Sequence, residues 1–89
     1  MRAKRNRNKI TEEILSICSN GEKITQIAYR SNTNFATVRC FIDSLKRNNL
    51  LEEIKGSPVL YKTTAKGIVI KDRIKMLQDE MDGAIGKPM

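Results

Sequence analysis

Apolar residues recur at helical spacing in four segments of the chain, and a short segment of strand-like pattern separates the third segment from the fourth. The first segment predicts a helix over about residues 8–20, and Gly21 follows it as a left-handed cap would. The second predicts a short helix over residues 24–31. The third begins behind Asn34, a good N-cap residue, and predicts a helix that ends near Asn48.

The third helix has one apolar and one polar face. Its apolar residues occupy positions i, i+3, i+4 and i+7 and predict a buried stripe of Val38, Phe41, Ile42 and Leu45. At ~100° per residue, the opposite face carries Ala36, Cys40, Asp43 and Arg47, flanked by Thr37, Arg39 and Ser44. Asn49 follows and can take the left-handed conformation that ends a helix.

A hairpin separates the third helix from the last one. Residues 50–55 and 59–62 read as two strands, and the residues between them, 56–58, have the Gly-Ser-Pro composition of a turn. Thr64 then caps a helix over residues 65–82. The order of helix, turn, helix, hairpin and helix predicts a mainly α fold with a small β-hairpin, the winged helix-turn-helix. We expect this domain to cover residues 10–67.

The part of the last helix over residues 68–82 carries two apolar groups. One follows a heptad-like spacing of four, three and four residues and consists of Ile70, Ile74, Leu77 and Met81. The other consists of Ile68, Val69 and Met76. The first group predicts a homodimer contact; the alternative is packing on the first helix of the same domain. Residues 83–89 are expected to form a flexible tail.

Positive charge is concentrated at the start of the chain. The chain carries 17 Lys and Arg against 10 Asp and Glu, a formal charge of +7, and residues 1–9 contain five bases and no acid. Such arms bind polyanions, and nucleic acid is the usual one, so Arg5 and Arg7 are candidate contacts. The alternative is that the arm only keeps the protein soluble.

The composition argues against several other classes of protein. Without any histidine, Cys18 and Cys40 cannot complete a zinc site within one chain. Cys18 is predicted in the core and Cys40 on a helix surface, which favours reduced thiols and an intracellular protein. No apolar run is long enough for a signal peptide or a membrane span. We find no glycine-rich phosphate loop and no apolar carboxylate pair, so we predict neither an enzyme nor a cofactor.

The candidate DNA contacts follow from how a helix-turn-helix enters the major groove, with the first turns of its third helix towards the bases. Asn34, Thr37 and Arg39 lie there, Arg47 is a candidate for a phosphate further along, and Lys55 is the candidate in the wing. The alternative is that these residues form an ordinary solvated face and that the hairpin only closes the core.

Two runs of residues, 48–54 and 61–67, resemble the archaeal winged helix-turn-helix proteins. They are most similar to the small dimeric chromatin-associated DNA-binding proteins of thermophilic archaea, and residues 25–35 resemble the second helix and turn of that family. The resemblance implies a C-terminal helix that pairs antiparallel with its partner. Asn49 stands where that family usually has glycine, and Thr63 where it has an aliphatic residue. The last helix is also shorter, which implies a compact dimer.

These observations together predict a homodimer that binds double-stranded DNA in the cytoplasm, as a transcription regulator or a nucleoid-associated protein. The resemblance implies DNA contacts at Asn34, Thr37, Arg39 and Lys55. The alternative from another class is a winged-helix module that assembles a protein complex, because a fold does not fix a function.

Overall fold

The computed structural model describes the backbone of residues 6–84 and the side chains of residues 6–81. Within these residues the chain forms four α-helices, one turn of 3-10 helix and one two-stranded sheet. The mainly helical fold with a small hairpin is therefore confirmed. In chain order the elements are α1 (Arg7–Ile17), the 3-10 turn (Cys18–Asn20), α2 (Ile24–Ser31), α3 (Phe35–Arg47), β1 (Leu51–Ile54), β2 (Leu60–Thr63) and α4 (Ala65–Ala84).

The predicted caps of α3 and α4 are present. The Asn34 side chain accepts a hydrogen bond from the backbone N–H of Thr37 at 2.8 Å, and the Thr64 hydroxyl accepts one from the backbone N–H of Gly67 at 3.0 Å. The same hydroxyl donates to the carbonyl of Asn49 at 2.7 Å. Asn49 has a φ of 63°, the left-handed conformation predicted for the end of α3.

The N-terminal boundary differs from the prediction. Helix α1 begins at Arg7 because the Asn6 side chain accepts a hydrogen bond from the backbone N–H of Lys9 at 2.8 Å. Three of the residues assigned to the basic arm, residues 7–9, therefore form the first turn of α1. Residues 1–5 lie outside the described part of the chain.

The hairpin is antiparallel, and the first residue of β1, Leu51, lies opposite the last residue of β2, Thr63. Each strand boundary is within one residue of its prediction. The sheet also gains a contact that the sequence pattern did not indicate. The backbone N–H groups of Glu22 and Tyr61 each donate to the other residue's carbonyl, at 3.0 and 2.8 Å. This bridge joins the segment before α2 to the hairpin.

The core lies between α1, α2, α3 and the hairpin. Its buried apolar side chains are Ile14, Leu15, Cys18, Ile27, Val38, Phe41, Ile42, Leu45, Leu51 and Tyr61. The hydroxyl of Thr63 donates to the carbonyl of Leu15 at 2.7 Å and ties β2 to α1. Burial raises the pKa of the Cys18 thiol to about 12, so this side chain remains a neutral core residue as predicted, and Cys40 is exposed.

Helix α4 packs against α1, and this contact covers the first part of the heptad-like seam of α4. Ile70 packs against the domain's own core, whereas Leu77 and Met81 are each 52% exposed. Only the second half of the seam is therefore open to a partner. The helix extends to Ala84, so residues 83 and 84 are helical and not part of a tail; residues 85–89 lie outside the described range. No helix in the described part of the chain combines the length and apolar content needed to span a bilayer.

Gly67, on the first turn of α4, is packed too tightly to carry a side chain. A Cβ atom there would lie against the carbonyl oxygen of Leu50 and 2.6 Å from Thr63 Cγ2. We expect Gly67→Ala to lower the free energy of unfolding by about 1–3 kcal/mol, the usual cost of overpacking. Thermal unfolding followed by circular dichroism measures this, at roughly 4–8 °C per kcal/mol for a domain of this size.

Gly56→Ala is the matched control for this prediction. A Cβ atom at Gly56 would meet the carbonyl oxygen of Pro58 at 3.2 Å, in an exposed turn, so we expect a much smaller change in Tm. An equal change in the two variants would show that the packing of α4 on the loop before β1 is not what requires glycine at position 67.

Candidate nucleic-acid interface

Helices α2 and α3 form the helix-turn-helix. The turn depends on Asn32, which has a left-handed φ of 52°, and on the backbone N–H of Thr33, which donates to the carbonyl of Ala28 at 3.1 Å. The apolar stripe of α3 is buried against the domain as predicted. Its opposite face is consequently fixed towards solvent, and this face carries the exposed residues Ala36, Arg39, Cys40, Asp43 and Arg47.

The predicted contacts on α3 lie along this exposed face. Asn34 is exposed at its start, with its side-chain oxygen occupied by the cap, so only the amide N–H₂ remains for a ligand. Thr37 is half-buried in the first turn. Among the described residues, neither Arg39 nor Arg47 forms an ion pair with a carboxylate. Both guanidinium groups are therefore available to an external anion.

The wing contacts the last turn of α3 through Glu53 on β1. Its carboxylate forms an ion pair with Lys46 of α3. That hydrogen bond and charge lower the pKa of Glu53 most, and the positive charges of Lys55 and Arg39 lower it further. A wing cation and a helix cation thus act on one carboxylate. Because Glu53 neutralises Lys46 and raises its pKa, Lys46 is the α3 cation least available to DNA.

The loop of the wing is fully open to solvent. Every residue from 52 to 58 is exposed, including Lys55 immediately after β1. Lys62 on β2 is exposed as well. Both lysines are therefore open to an external anion.

Of the two arm residues predicted to bind DNA, the structure describes only Arg7. Arg5 lies outside the described residues. The Arg7 guanidinium lies 4.9 Å from the centre of the Phe41 ring, so Arg7 links the first turn of α1 to α3 through a cation–π contact. Arg7 is thus part of the folded domain and not of a free arm, although the residue is exposed.

Two exposed aromatic residues were missed by the analysis of the sequence. Tyr29 on α2 is 80% exposed, and Phe35, the first residue of α3, is 49% exposed. The Arg39 guanidinium lies 5.7 Å from the centre of the Phe35 ring. The spacing of four residues between an aromatic residue and an arginine was the available signal. Phe35 itself lies outside the buried stripe of α3.

The described residues contain no group of three or more side chains able to hold a metal ion. The exposed face combines cations, an amide and an aromatic ring with the carboxylate of Asp43 further along α3. Such a surface can bind a polyanion and read the edges of bases.

Comparison with solved structures gives the same fold. Sso10a-2, a DNA-binding protein from Sulfolobus solfataricus, superimposes with a TM-score of 0.87 at 20% identity, over 92% of this chain and 87% of that one. The transcriptional regulator BldR from the same organism gives 0.77 at 17%, over 90% of this chain and 62% of BldR. The Zα domain of Carassius auratus PKZ, solved with Z-DNA, gives 0.58 at 16%, over 63% and 94%.

At the level of sequence, no curated protein matches the chain significantly. The sequence model of the winged helix-turn-helix family, however, matches residues 4–82, which is nearly the whole chain. The resemblance to archaeal winged helix-turn-helix proteins is confirmed by this match and by the Sulfolobus structure. The chain belongs to the winged helix-turn-helix family.

Proposed function

We propose that the protein binds duplex DNA as a homodimer, with α3 in the major groove and the wing on the flanking phosphates. The observation that carries this proposal is the outer face of α3, where Arg39 and Arg47 have no carboxylate partner among the described residues. Lys55 extends the same positive surface to the wing. Such unpaired cations around a protruding helix are the electrostatic footprint of a DNA-binding protein.

Each group has a distinct role in this proposal. Arg39, near the N-terminal end of α3, reaches a guanine edge or a phosphate. Thr37 and the amide group of Asn34 form hydrogen bonds with a base edge or a phosphate. Arg47 and Lys55 neutralise phosphates on either side of the groove. Arg7 adds positive charge at the N-terminal end of α1, and Arg5 adds a further positive charge in the sequence before it.

The exposed half of the α4 seam supports the homodimer. Leu77 and Met81 present apolar surface beyond the point where α4 contacts its own domain. In an antiparallel pair the net basic first part of each helix meets the acidic second part of the other; the charged neighbours of the seam are Lys71, Asp72, Arg73, Lys75, Asp79 and Glu80. A two-fold dimer would place two α3 helices in successive turns of the major groove, ~34 Å apart.

We further propose a role in the cytoplasm, as a transcription regulator or a nucleoid-associated protein. The structural likeness to both Sso10a-2, described as a DNA-binding protein, and BldR, described as a transcriptional regulator, supports this pair of roles. The surface described above offers cations for phosphates in every sequence and one guanidinium for a base edge. Either role uses the same surface.

The test is fluorescence anisotropy of labelled mixed-sequence duplex DNA, titrated with the purified protein at several salt concentrations. We expect affinity to fall steeply with salt, with a slope of about 0.9 per phosphate contact. At least four contacts per dimer, from Arg47 and Lys55 of each protomer, imply a slope near −4.

Absence of binding at low salt would contradict DNA binding to mixed sequence. A selection from a random duplex library would then separate a strict operator from the other reading, a module for protein assembly. Recovery of a stable protein partner by a chain that never binds DNA would replace the proposal.

A further inference from the structure

Phe35 is an apolar ring placed where the proposed interface is otherwise polar. It is the first residue of α3, its side chain follows the Asn34 cap directly, and it is 49% exposed. Leaving a phenyl ring half in water forgoes part of the stabilisation that its burial would contribute. The core does not need this ring, because the stripe from Val38 to Leu45 closes α3 against the domain.

Two side chains on the same turn of α3 lie beside Phe35. Arg39, one turn further along α3, lies with its guanidinium 5.7 Å from the ring centre. Ala36, the next residue, is exposed and adds a methyl group to the same end of the helix. The start of α3 thus combines a small apolar surface with one guanidinium that has no carboxylate partner among the described residues.

The major groove offers one apolar group to such a surface. Each base edge presents hydrogen-bond donors and acceptors, and thymine alone adds a methyl group, at C5. Phenylalanine and alanine side chains are among those that contact it. We infer that Phe35, assisted by Ala36, reads the thymine methyl group, so that the protein prefers sites with thymine under the start of α3. This inference rests on the DNA-binding function proposed above.

Arg39 fixes where the preferred thymine lies relative to guanine. Base pairs stack at about 3.4 Å, so side chains 5.7 Å apart address positions one or two base pairs from each other. The expected preference is a thymine within two base pairs of a guanine that accepts from Arg39.

The experiment compares two versions of one duplex, one with thymine and one with deoxyuridine at every thymine position. The two pair identically and differ only in the methyl group. We expect the protein to bind the thymine duplex about fourfold more tightly for each methyl group contacted. Phe35→Ala is expected to bring the ratio of the two affinities close to one.

Tyr29→Ala is the matched control, because Tyr29 is the more exposed aromatic residue but lies on α2. We expect it to keep the difference between thymine and uracil. Phe35→Leu, which retains an apolar side chain, should keep part of the difference, and the Tm of each variant establishes that it is folded. Loss of the difference in Tyr29→Ala but not in Phe35→Ala would overturn the assignment.

The outcomes separate this inference from the function on which it rests. Equal, salt-sensitive binding to both duplexes would leave DNA binding intact and overturn the role of Phe35. Binding to neither duplex would count against DNA binding itself.

Discussion

Replacing Arg39 and Arg47 together by alanine is expected to reduce affinity for duplex DNA by on the order of 10²-fold at low salt. The two substitutions do not alter the buried stripe of α3, because both side chains lie on its exposed face. Each substitution removes a positive charge that forms no ion pair with a carboxylate in the described part of the chain. A dimer would lose four cations at once.

The salt dependence gives the sharper result. Each phosphate contact that is removed lowers the slope of log affinity against log salt by about 0.9. If Arg47 meets a phosphate and Arg39 a base, Arg47→Ala lowers the slope by nearly 2 per dimer. Arg39→Ala then weakens binding with little change in slope and relaxes the sequence preference.

Arg39→Lys separates a base contact from a phosphate contact. A lysine keeps the charge but cannot form the planar bidentate pair with a guanine edge. Retained affinity in Arg39→Lys would assign Arg39 to a phosphate, and a loss close to that of Arg39→Ala would assign it to a base.

The matched control removes two cations from elsewhere on the surface. Arg73→Ala with Lys75→Ala takes the same charge from exposed positions on α4. If the control weakens binding as much as the pair on α3, the effect comes from total charge and α3 does not enter the groove. Both residues lie in the part of α4 proposed to pair with a partner, so sedimentation at the same concentration must show that the control and the wild type have the same mass before their affinities are compared.

The elements of this fold could be predicted because short-range signals mark their ends. Asn34 and Thr64 cap the helices that follow them through hydrogen bonds to residues three positions on. Asn49 ends α3 in the left-handed conformation, as a glycine would. These hydrogen bonds join residues close together in the sequence, so local sequence patterns predict them.

The contacts that escaped prediction link residues far apart in sequence. The bridge between Glu22 and Tyr61 spans 39 positions (61 − 22) and involves backbone groups alone, so no side-chain pattern announces it. Arg7 lies over Phe41, a residue far away in the sequence, and no local pattern indicates this contact. The exposure of Phe35 in the proposed DNA interface could not be predicted either, because it depends on how α3 packs against the rest of the domain.

The heptad-like seam of α4 was predicted as one dimer contact, and the structure divides it. Ile70 packs against its own core, and Ile74 is half-buried. The spacing of apolar residues is the same for packing within one chain and between two. Sequence alone could not divide the seam, and the exposure of Leu77 and Met81 supports a proposed contact at its second half.

Introducing glutamate at both Leu77 and Met81 is therefore expected to dissociate the proposed dimer. Two charges on each copy would meet across the interface in place of apolar surface, and burying unpaired charge is strongly unfavourable. The mass from sedimentation equilibrium should fall from about twice 10.1 kDa to that of a single chain. The domain itself should stay folded, because both side chains are half exposed in the single chain.

The second apolar group of α4 supplies the matched control. Val69 and Met76 are 50% and 61% exposed and lie two turns apart on another side of the helix. Glutamates at both positions add the same charge to the same helix. We expect this variant to remain a dimer; dissociation of this variant and not of the first would move the interface to that side.

Loss of the dimer should reduce DNA affinity far more than any single contact does. When one half-site is bound, the second α3 meets DNA at a high effective concentration, and linked sites of this kind gain about 10²–10⁴ in affinity. The Leu77 and Met81 variant should therefore bind one half-site weakly, with about half the salt slope of the wild type. A monomer that retains full affinity would show that one winged domain suffices and that the exposed end of α4 serves another partner.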